Sequence, residues 1–329
     1  MKLDRTQINK IIHNVISYDY DENGYLHFHR FTPTQFEVYK SESEGREIRA
    51  RASASVAFDF ITDAEYIAIR FILYPGSSRI CAGFDLYVDG IFHQHKFYED
   101  LNAKMLSFAL PEGEHRVTVY FPWCAETVVK EVHITDGASI KEIPNRKKVI
   151  FLGDSITQGV FTEYPSLTYV NQVAAENDIE IINQGIGGYR FNAFSIDDSL
   201  TSYHPDAIVL AYGTNDYSQY DDKQDFIINA TEYIEKITDL FPQTKILAIL
   251  PIYRNDGGNQ TRERYRDYTL EDARRILENI YGKYENISIL KETGIPRIPD
   301  VFMSDYLHPT ELGFTFMAKT IGKELKKCL

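Results

Sequence analysis

A serine, a histidine and an aspartate stand in settings that suit nucleophilic catalysis. Ser155 lies in the run GDSIT, directly after the apolar residues VIFL. A strand-to-helix turn built from small and polar residues can hold a serine hydroxyl at a helix N-terminus, where backbone N–H groups favour developing negative charge. In DYLHPT, Pro309 biases His308 away from helical geometry, and Asp305 can fold back to fix the tautomer of the imidazole. These residues predict attack on a carbonyl group by an activated serine; a helix-capping serine and a structural histidine are the alternatives.

Two further loops contain groups that could stabilise an oxyanion. Glycines follow the apolar run IEIIN in the loop NQGIGG, where a backbone N–H can come close to a ligand. Asn215 follows AIVLAY in the run GTND, and an asparagine at a strand end can donate a hydrogen bond to an oxyanion. A tight turn and a capping asparagine would explain the same residues. The spacing G-x-G-x-x-G is absent from the glycine loop, so the sequence does not predict a nucleotide.

The elements that must position these loops form an α/β pattern. Apolar strands (VIFLG, IEIIN, AIVLAYG and KILAILPIY) alternate with helices predicted at residues 165–177, 222–241 and 270–284 and from Thr310 onward. This alternation is typical of a parallel sheet covered by helices on both faces. Because function in open α/β sheets lies at the carboxyl ends of the strands, we expect the loops that follow these strands to contain the site.

The first 136 residues have a different pattern. The runs YLHFHRF, SVAFDFI, YIAIRFIL, FDLYVDG and HRVTVYF are rich in β-branched and aromatic residues, and turn signals separate them. Short strands at fairly regular spacing predict a β-sandwich or jelly roll. The polar segment 136–148 contains glycine and proline and is predicted to be a linker. The chain of 329 residues therefore divides into a β-sandwich domain at 1–140 and an α/β domain at 147–329.

Four loops of the second domain occur in the order GDSIT, NQGIGG, GTND and DYLHP. Together they resemble the four sequence blocks of the SGNH (GDSL-like) hydrolases, and the resemblance covers the whole second domain. It implies a three-layer α/β/α, flavodoxin-like fold with a parallel sheet. It also implies that Ser155 is the nucleophile and that its N–H contributes to an oxyanion hole. By the same resemblance Gly188 supplies a second N–H, Asn215 a side-chain donor, His308 the general base and Asp305 its orienting partner.

A shorter resemblance lies in the first domain. The run GFDLY at residues 83–87 is similar to the G-x-D-L-Y signature of a β-rich domain that precedes some SGNH hydrolases. The architecture is also similar to that of carbohydrate esterases in which a jelly roll precedes the SGNH domain. The two resemblances imply a serine hydrolase that cleaves carboxylic esters through an acyl-enzyme, with O-deacetylation of carbohydrate as the leading prediction. A lipase, lysophospholipase or thioesterase and, from another class, an inactive carbohydrate-binding protein are the alternatives.

Three residues beside the predicted catalytic groups are candidates for substrate contacts: Arg190, Asp154 and Tyr306. The expected ligand is a small-molecule or oligosaccharide ester. No metal and no cofactor are predicted.

Charge and composition argue against other classes of function. The net charge of −13 disfavours nucleic acid, because a phosphate-binding surface must be basic. No apolar run reaches the roughly 18 residues of a membrane span. Cys81, Cys124 and Cys328 are sparse and odd in number, which predicts neither a disulfide framework nor a zinc site. The first residues lack the apolar segment of a signal peptide, so we expect a cytoplasmic protein, and a homo-oligomer is left open.

Overall fold

The computed structural model describes residues 1–254 and 268–329, which form two compact units. The β-rich unit contains Met1–Phe31, Ser43–Arg146 and Glu163–Ser166, and the α/β unit contains Thr32–Glu42, Lys147–Thr162 and Leu167–Leu329. Two short segments belong to a different unit from the residues that flank them in sequence. Residues 32–42 are part of the α/β unit, and residues 163–166 are part of the β-rich unit. The domains predicted from the sequence, 1–140 and 147–329, are continuous ranges and do not separate these two segments.

Two antiparallel sheets of five strands each form the β-rich unit. The strands are β1 (Ile12–His13), β2 (Ser17–Tyr20), β3 (Leu26–His29), β4 (Ala57–Thr62), β5 (Tyr66–Pro75), β6 (Ala82–Val88), β7 (Ile91–Tyr98), β8 (Met105–Ala109), β9 (His115–Tyr120) and β10 (Ala125–Ile134). Their order is β1-β4-β9-β6-β7 in one sheet and β2-β3-β10-β5-β8 in the other. Alternate residues, such as Phe58 and Phe60 of β4 and Ile67 and Ile69 of β5, are buried in one core shared by both sheets. The predicted β-sandwich is confirmed.

Three helices in this part of the chain were not predicted from the sequence. They are α1 (Arg5–Asn9), α2 (Pro33–Glu42) and α3 (Glu44–Arg51). Proline at the first position of α2 suits a helix start, and Ser43 caps α3 by accepting the N–H of Arg46. The buried residues of α2 are Gln35 and Tyr39, so this helix has no apolar stripe that a search for periodicity could detect.

Within the described residues, the sheet of the α/β unit consists of five parallel strands. They are β11 (Lys148–Gly153), β12 (Glu180–Gly185), β13 (Ala207–Ala211), β14 (Lys245–Ile249) and β15 (Ile287–Leu290). The helices that follow in the described residues are α4 (Ser155–Gln158), α5 (Tyr169–Asn177), α6 (Thr214–Gln219), α7 (Lys223–Leu240), α8 (Leu270–Tyr281) and α9 (Glu311–Leu325). The strand order β12-β11-β13-β14-β15 confirms the predicted flavodoxin-like sheet, although the short strand β15 was not predicted.

Apolar residues on both faces of the strands anchor this sheet. Val149 and Phe151 of β11 point to one face, where they pack with Tyr169 of α5 and Phe314 of α9. Ile150 points to the opposite face and is equally buried. None of the helices in the described part of the chain is long and apolar enough to cross a membrane.

The strand order also explains where a site can form. The sheet grows in opposite directions from β11, because β12 lies on one side of it and β13 on the other. In open α/β sheets ligands bind beyond the carboxyl ends of the strands at such a switch point. Ser155 follows β11 and Asn215 follows β13, so the sheet directs both residues to the same edge.

Candidate active site

Ser155 is the first residue of α4 and lies just beyond the end of β11. Asp154 caps this helix, since its carboxyl group accepts the N–H of Ile156 at 2.9 Å. The end of β12 approaches α4 so closely that a side chain at Gly185 would clash with the backbone of Gln158. Ser155 is thereby fixed at a helix N-terminus, where it is 7% exposed.

His308 and Asp305 join Ser155 in a continuous chain of hydrogen bonds. His308 Nε2 lies 2.7 Å from Ser155 Oγ, and His308 Nδ1 lies 2.6 Å from Asp305 Oδ2. Because a carboxylate only accepts, Nδ1 carries the ring proton, and Nε2 accepts from the hydroxyl of Ser155. The N–H of Met303 donates to the carbonyl oxygen of His308 at 2.8 Å and closes the loop. The structure thus brings together the three residues that the sequence singles out for nucleophilic catalysis.

Asp305 is held in its ionised form. Its Oδ1 accepts the backbone N–H groups of Leu307 and His308, both at 3.0 Å. Partial burial raises the pKa of the Asp305 carboxyl, but the hydrogen bonds from His308 and Leu307 outweigh burial and lower the pKa to about 2. A carboxylate therefore faces the imidazole at neutral pH and favours the tautomer with the proton on Nδ1.

Gly188 and Asn215 lie in neighbouring loops that are tied together. The side-chain amide of Asn215 donates to the carbonyl oxygen of Tyr189 at 3.1 Å. The side chain of Gln219 donates to the carbonyl oxygen of Gly188 at 3.2 Å. These contacts join the loop after β12 to α6. The two candidate oxyanion donors, Gly188 and Asn215, therefore lie on segments that are hydrogen-bonded to each other.

The glycines of this loop differ in the use of their N–H groups. Gly185 donates to Asn183 Oδ1 at 2.9 Å, and Gly187 donates to Gln158 Oε1 at 2.8 Å. The N–H of Gly188 has no partner among the described residues. Of these three glycines, Gly188 is the one whose N–H is available to a ligand.

The three candidates for substrate contacts lie in different settings. Tyr306 is 47% exposed and has a left-handed backbone with φ +59°. The guanidinium group of Arg190 lies 4.3 Å from the ring centroid of Tyr220. Asp154 is 2% exposed, and burial raises the pKa of its carboxyl to about 6. Tyr306 is exposed and can contact a ligand. Asp154 is buried, which suits its contact as the cap of the helix that begins at Ser155.

Two residues at the site were not singled out from the sequence. Asp216 of α6 is fully buried; its Oδ1 accepts the N–H of Phe191 at 2.9 Å, and its Oδ2 has no partner among the described residues. Burial raises the pKa of this carboxyl to about 7. Phe161, in the loop after α4, packs its ring edge-on against the imidazole of His308. Asp216 stands next to Asn215 in the run GTND, which is the one signal that could have found it; no pattern in the sequence around Phe161 indicates its contact.

A parallel α/β sheet with a Ser–His–Asp chain beyond its strands is an arrangement found in serine hydrolases. The family model of the GDSL-like lipase/acylhydrolase family matches residues 151–315, which is half of the chain. The chain belongs to this family. Among curated protein sequences, no significant match is found.

Several solved structures are similar over most of the chain. A salicylyl-acyltransferase from a tetracycline biosynthetic pathway has a TM-score of 0.83 and 19% identity, over 99% of this chain and 97% of that chain. A family two carbohydrate esterase from Cellvibrio japonicus has a TM-score of 0.64 and 17% identity, over 98% and 96%. An acetyl xylan esterase from the rumen bacterium Butyrivibrio proteoclasticus has a TM-score of 0.59 and 14% identity, over 83% and 90%. At these identities the likeness shows a shared fold.

Proposed function

We propose that the protein is a serine esterase that removes acetyl groups from carbohydrate through an acyl-enzyme on Ser155. The observation that carries the proposal is the unbroken chain from Ser155 Oγ through His308 to Asp305, with distances of 2.7 and 2.6 Å. At such distances a base can take the proton of the nucleophile while a third group orients the base.

In the proposed reaction, His308 Nε2 takes the proton of the Ser155 hydroxyl while Oγ attacks the carbonyl carbon of the ester. The oxyanion then accepts hydrogen bonds from the N–H groups of Ser155 and Gly188 and from the amide of Asn215. His308 gives its proton to the leaving alcohol, and the acyl group stays on Ser155. Water next loses a proton to His308 and attacks the acyl-enzyme. Acetate leaves, and Ser155 regains its proton.

The carbohydrate part of the proposal is supported by the structural neighbours. A family two carbohydrate esterase and an acetyl xylan esterase are among them. A salicylyl-acyltransferase shares the fold as well. Formation of a new ester with an added alcohol, in place of free acetate, would therefore indicate transfer of the acyl group to an acceptor other than water.

The test is acetate release by the wild type, by Ser155→Ala and by the control Ser202→Ala, which alters an exposed serine. The substrates are an aryl acetate, a longer-chain aryl ester, acetylated xylo- and manno-oligosaccharides, and a lysophospholipid. We expect the wild type and the control to deacetylate the oligosaccharides, and Ser155→Ala to be slower by at least about 1,000-fold.

Each other outcome selects another function. Activity confined to the longer ester or the lipid would indicate lipase-like chemistry. Binding of the oligosaccharides without hydrolysis of any ester would indicate a carbohydrate-binding protein. Near wild-type turnover by Ser155→Ala would overturn the proposed mechanism.

A further inference from the structure

The imidazole of His308 is held by two hydrogen bonds at its ring nitrogens. Nδ1 contacts Asp305 Oδ2 at 2.6 Å, and Nε2 contacts Ser155 Oγ at 2.7 Å. Hydrogen bonds at ring nitrogens point along the plane of the ring. The two contacts therefore define a line from Asp305 to Ser155, and they only weakly restrain the tilt of the ring about that line.

Phe161 supplies a contact of another kind. The centroids of its ring and of the His308 imidazole are 5.0 Å apart, and the ring planes meet at 70°. This edge-to-face arrangement is a favoured geometry for two aromatic rings. A ring in this position restrains the tilt that the two hydrogen bonds leave free.

The loop that contains Phe161 is anchored to the nucleophile itself. The N–H groups of Gly159 and Val160 both donate to the carbonyl oxygen of Ser155 at 3.0 Å. The hydroxyl of Thr162 donates to the carbonyl oxygen of Gly159, also at 3.0 Å. One short segment thus positions both the serine hydroxyl and the ring that contacts the histidine.

The backbone of Phe161 lies in the left-handed region, with φ +82°. A residue with a side chain disfavours this conformation, whereas glycine adopts it readily. Strained residues of this kind persist where their surroundings hold them, and they cluster at active sites. The backbone alone would favour glycine here, so the ring is the feature that accounts for a phenylalanine.

We propose that Phe161 is a positioning residue whose ring fixes the tilt of the His308 imidazole between Asp305 and Ser155. The inference rests on the roles of Ser155 and His308 in the proposed function. With the tilt fixed, Nε2 stays aligned with Ser155 Oγ at the moment of proton transfer. Without the ring, the imidazole turns about its two hydrogen bonds, and fewer encounters with the ester are productive.

The test compares Phe161→Gly and Phe161→Ala with the wild type on an aryl acetate. We expect both variants to lower kcat by about 10- to 100-fold and to change KM by less than about 3-fold, because a misaligned base slows the chemistry without weakening binding. We also expect Phe161→Gly to unfold at a higher urea concentration than Phe161→Ala, since only glycine relieves the backbone strain. A control, Phe194→Ala, removes the ring of a residue that is 78% exposed and should leave kcat unchanged.

A double variant separates positioning from packing. Phe161→Ala combined with Asp305→Asn should lose less than the product of the two single losses, because both changes act through the orientation of one imidazole. Wild-type kcat in Phe161→Gly, a loss confined to KM, or fully multiplicative losses would overturn the inference. With Ser155→Ala inactive, those results would leave the esterase proposal in place. Full activity of Ser155→Ala would overturn both.

Discussion

Asp216 and Phe191 are joined by a hydrogen bond that links the two loops with the proposed oxyanion donors. The Oδ1 of Asp216 accepts the N–H of Phe191 at 2.9 Å. Beside it, the amide of Asn215 donates to the carbonyl oxygen of Tyr189. Asp216 is fully buried, so bulk water does not compete for its contact. The carboxyl group therefore helps to fix the spacing between Gly188 and Asn215, which must converge on one oxygen atom.

Replacing Asp216 by asparagine should change how stability depends on pH. Burial raises the pKa of Asp216 from 3.8 to about 7. The stability that the neutral carboxyl contributes is fully present below about pH 4 and is lost as the pH rises through 7. Asparagine keeps an acceptor for Phe191 and never ionises. The free energy of unfolding of Asp216→Asn relative to wild type should thus increase between pH 4 and pH 8, by on the order of 3 kcal/mol.

Urea unfolding in a pH series measures this difference. The control is Asp300→Asn, at an exposed aspartate, which should show no such trend. Some pH dependence will persist in Asp216→Asn, because burial also raises the pKa of Asp154, to about 6. A difference between Asp216→Asn and wild type that stays constant from pH 4 to pH 8 would show that Asp216 is ionised in the folded protein.

Asp305→Asn should impair catalysis by imposing the wrong tautomer on His308. The Oδ1 of Asp305 accepts two backbone N–H groups, so asparagine will keep its oxygen there and turn its amide N–H toward His308 Nδ1. The ring proton then moves to Nε2, which can no longer accept from Ser155. We expect kcat to fall by about 100- to 10,000-fold, with little change in KM. Steady-state kinetics on an aryl acetate measure the effect, and a loss below tenfold would remove Asp305 from the machinery.

Asn215→Ala should lose stabilisation of the transition state. The amide nitrogen of Asn215 uses one hydrogen on the carbonyl of Tyr189 and has a second for an oxyanion. We expect a loss of about 3–4 kcal/mol, or roughly 100- to 1,000-fold in kcat. The control Asn229→Ala removes an amide from α7 that donates to Asp225 and should not alter kcat. An unchanged kcat for Asn215→Ala would show that the backbone donors suffice.

The catalytic loops could be predicted because their arrangement follows from short stretches of sequence. Asp305 and His308 are three residues apart, so their contact depends only on the local turn. Ser155 and Asn215 come together because both follow strands that share one edge of a parallel sheet. Apolar strands alternating with helices were enough to predict that sheet.

Contacts between distant segments have no such signal. Gln35 of α2 and Gln184 of β12 exchange side-chain hydrogen bonds at 3.0 and 2.9 Å, although 149 residues separate them. In the run GFDLY, Asp85 accepts the N–H of Ser166 at 2.8 Å, across 81 residues. The first contact lies within the α/β unit and the second within the β-rich unit, and each attaches a short segment to a part of its unit that is distant in sequence. Hydrophobic periodicity reports local structure and carries no information about such pairs.

Cys81 and Cys124 form another pair of this kind. Both thiols are free and buried, and their sulfur atoms lie 3.6 Å apart although 43 residues separate them. The spacing of the three cysteines in the sequence does not indicate this contact. The hydrogen bond with Cys124 holds the pKa of the Cys81 thiol below its usual range, which favours the reactive thiolate.

Glutathione disulfide should convert this pair into an internal disulfide when local opening exposes the Cys81 sulfur, which is buried in the closed protein. The Cys81 thiolate attacks one sulfur of glutathione disulfide and releases one glutathione; Cys124 then loses its proton, attacks the Cys81 sulfur and releases the second. We expect intact mass to show the loss of two hydrogens, with only Cys328 still open to alkylation after unfolding. Closing a loop of this length should also add about 2–4 kcal/mol to the free energy of unfolding. Cys124→Ser is the control, which should stop at a glutathione adduct; if the wild type stops there as well, the two sulfur atoms do not approach closely enough to bond.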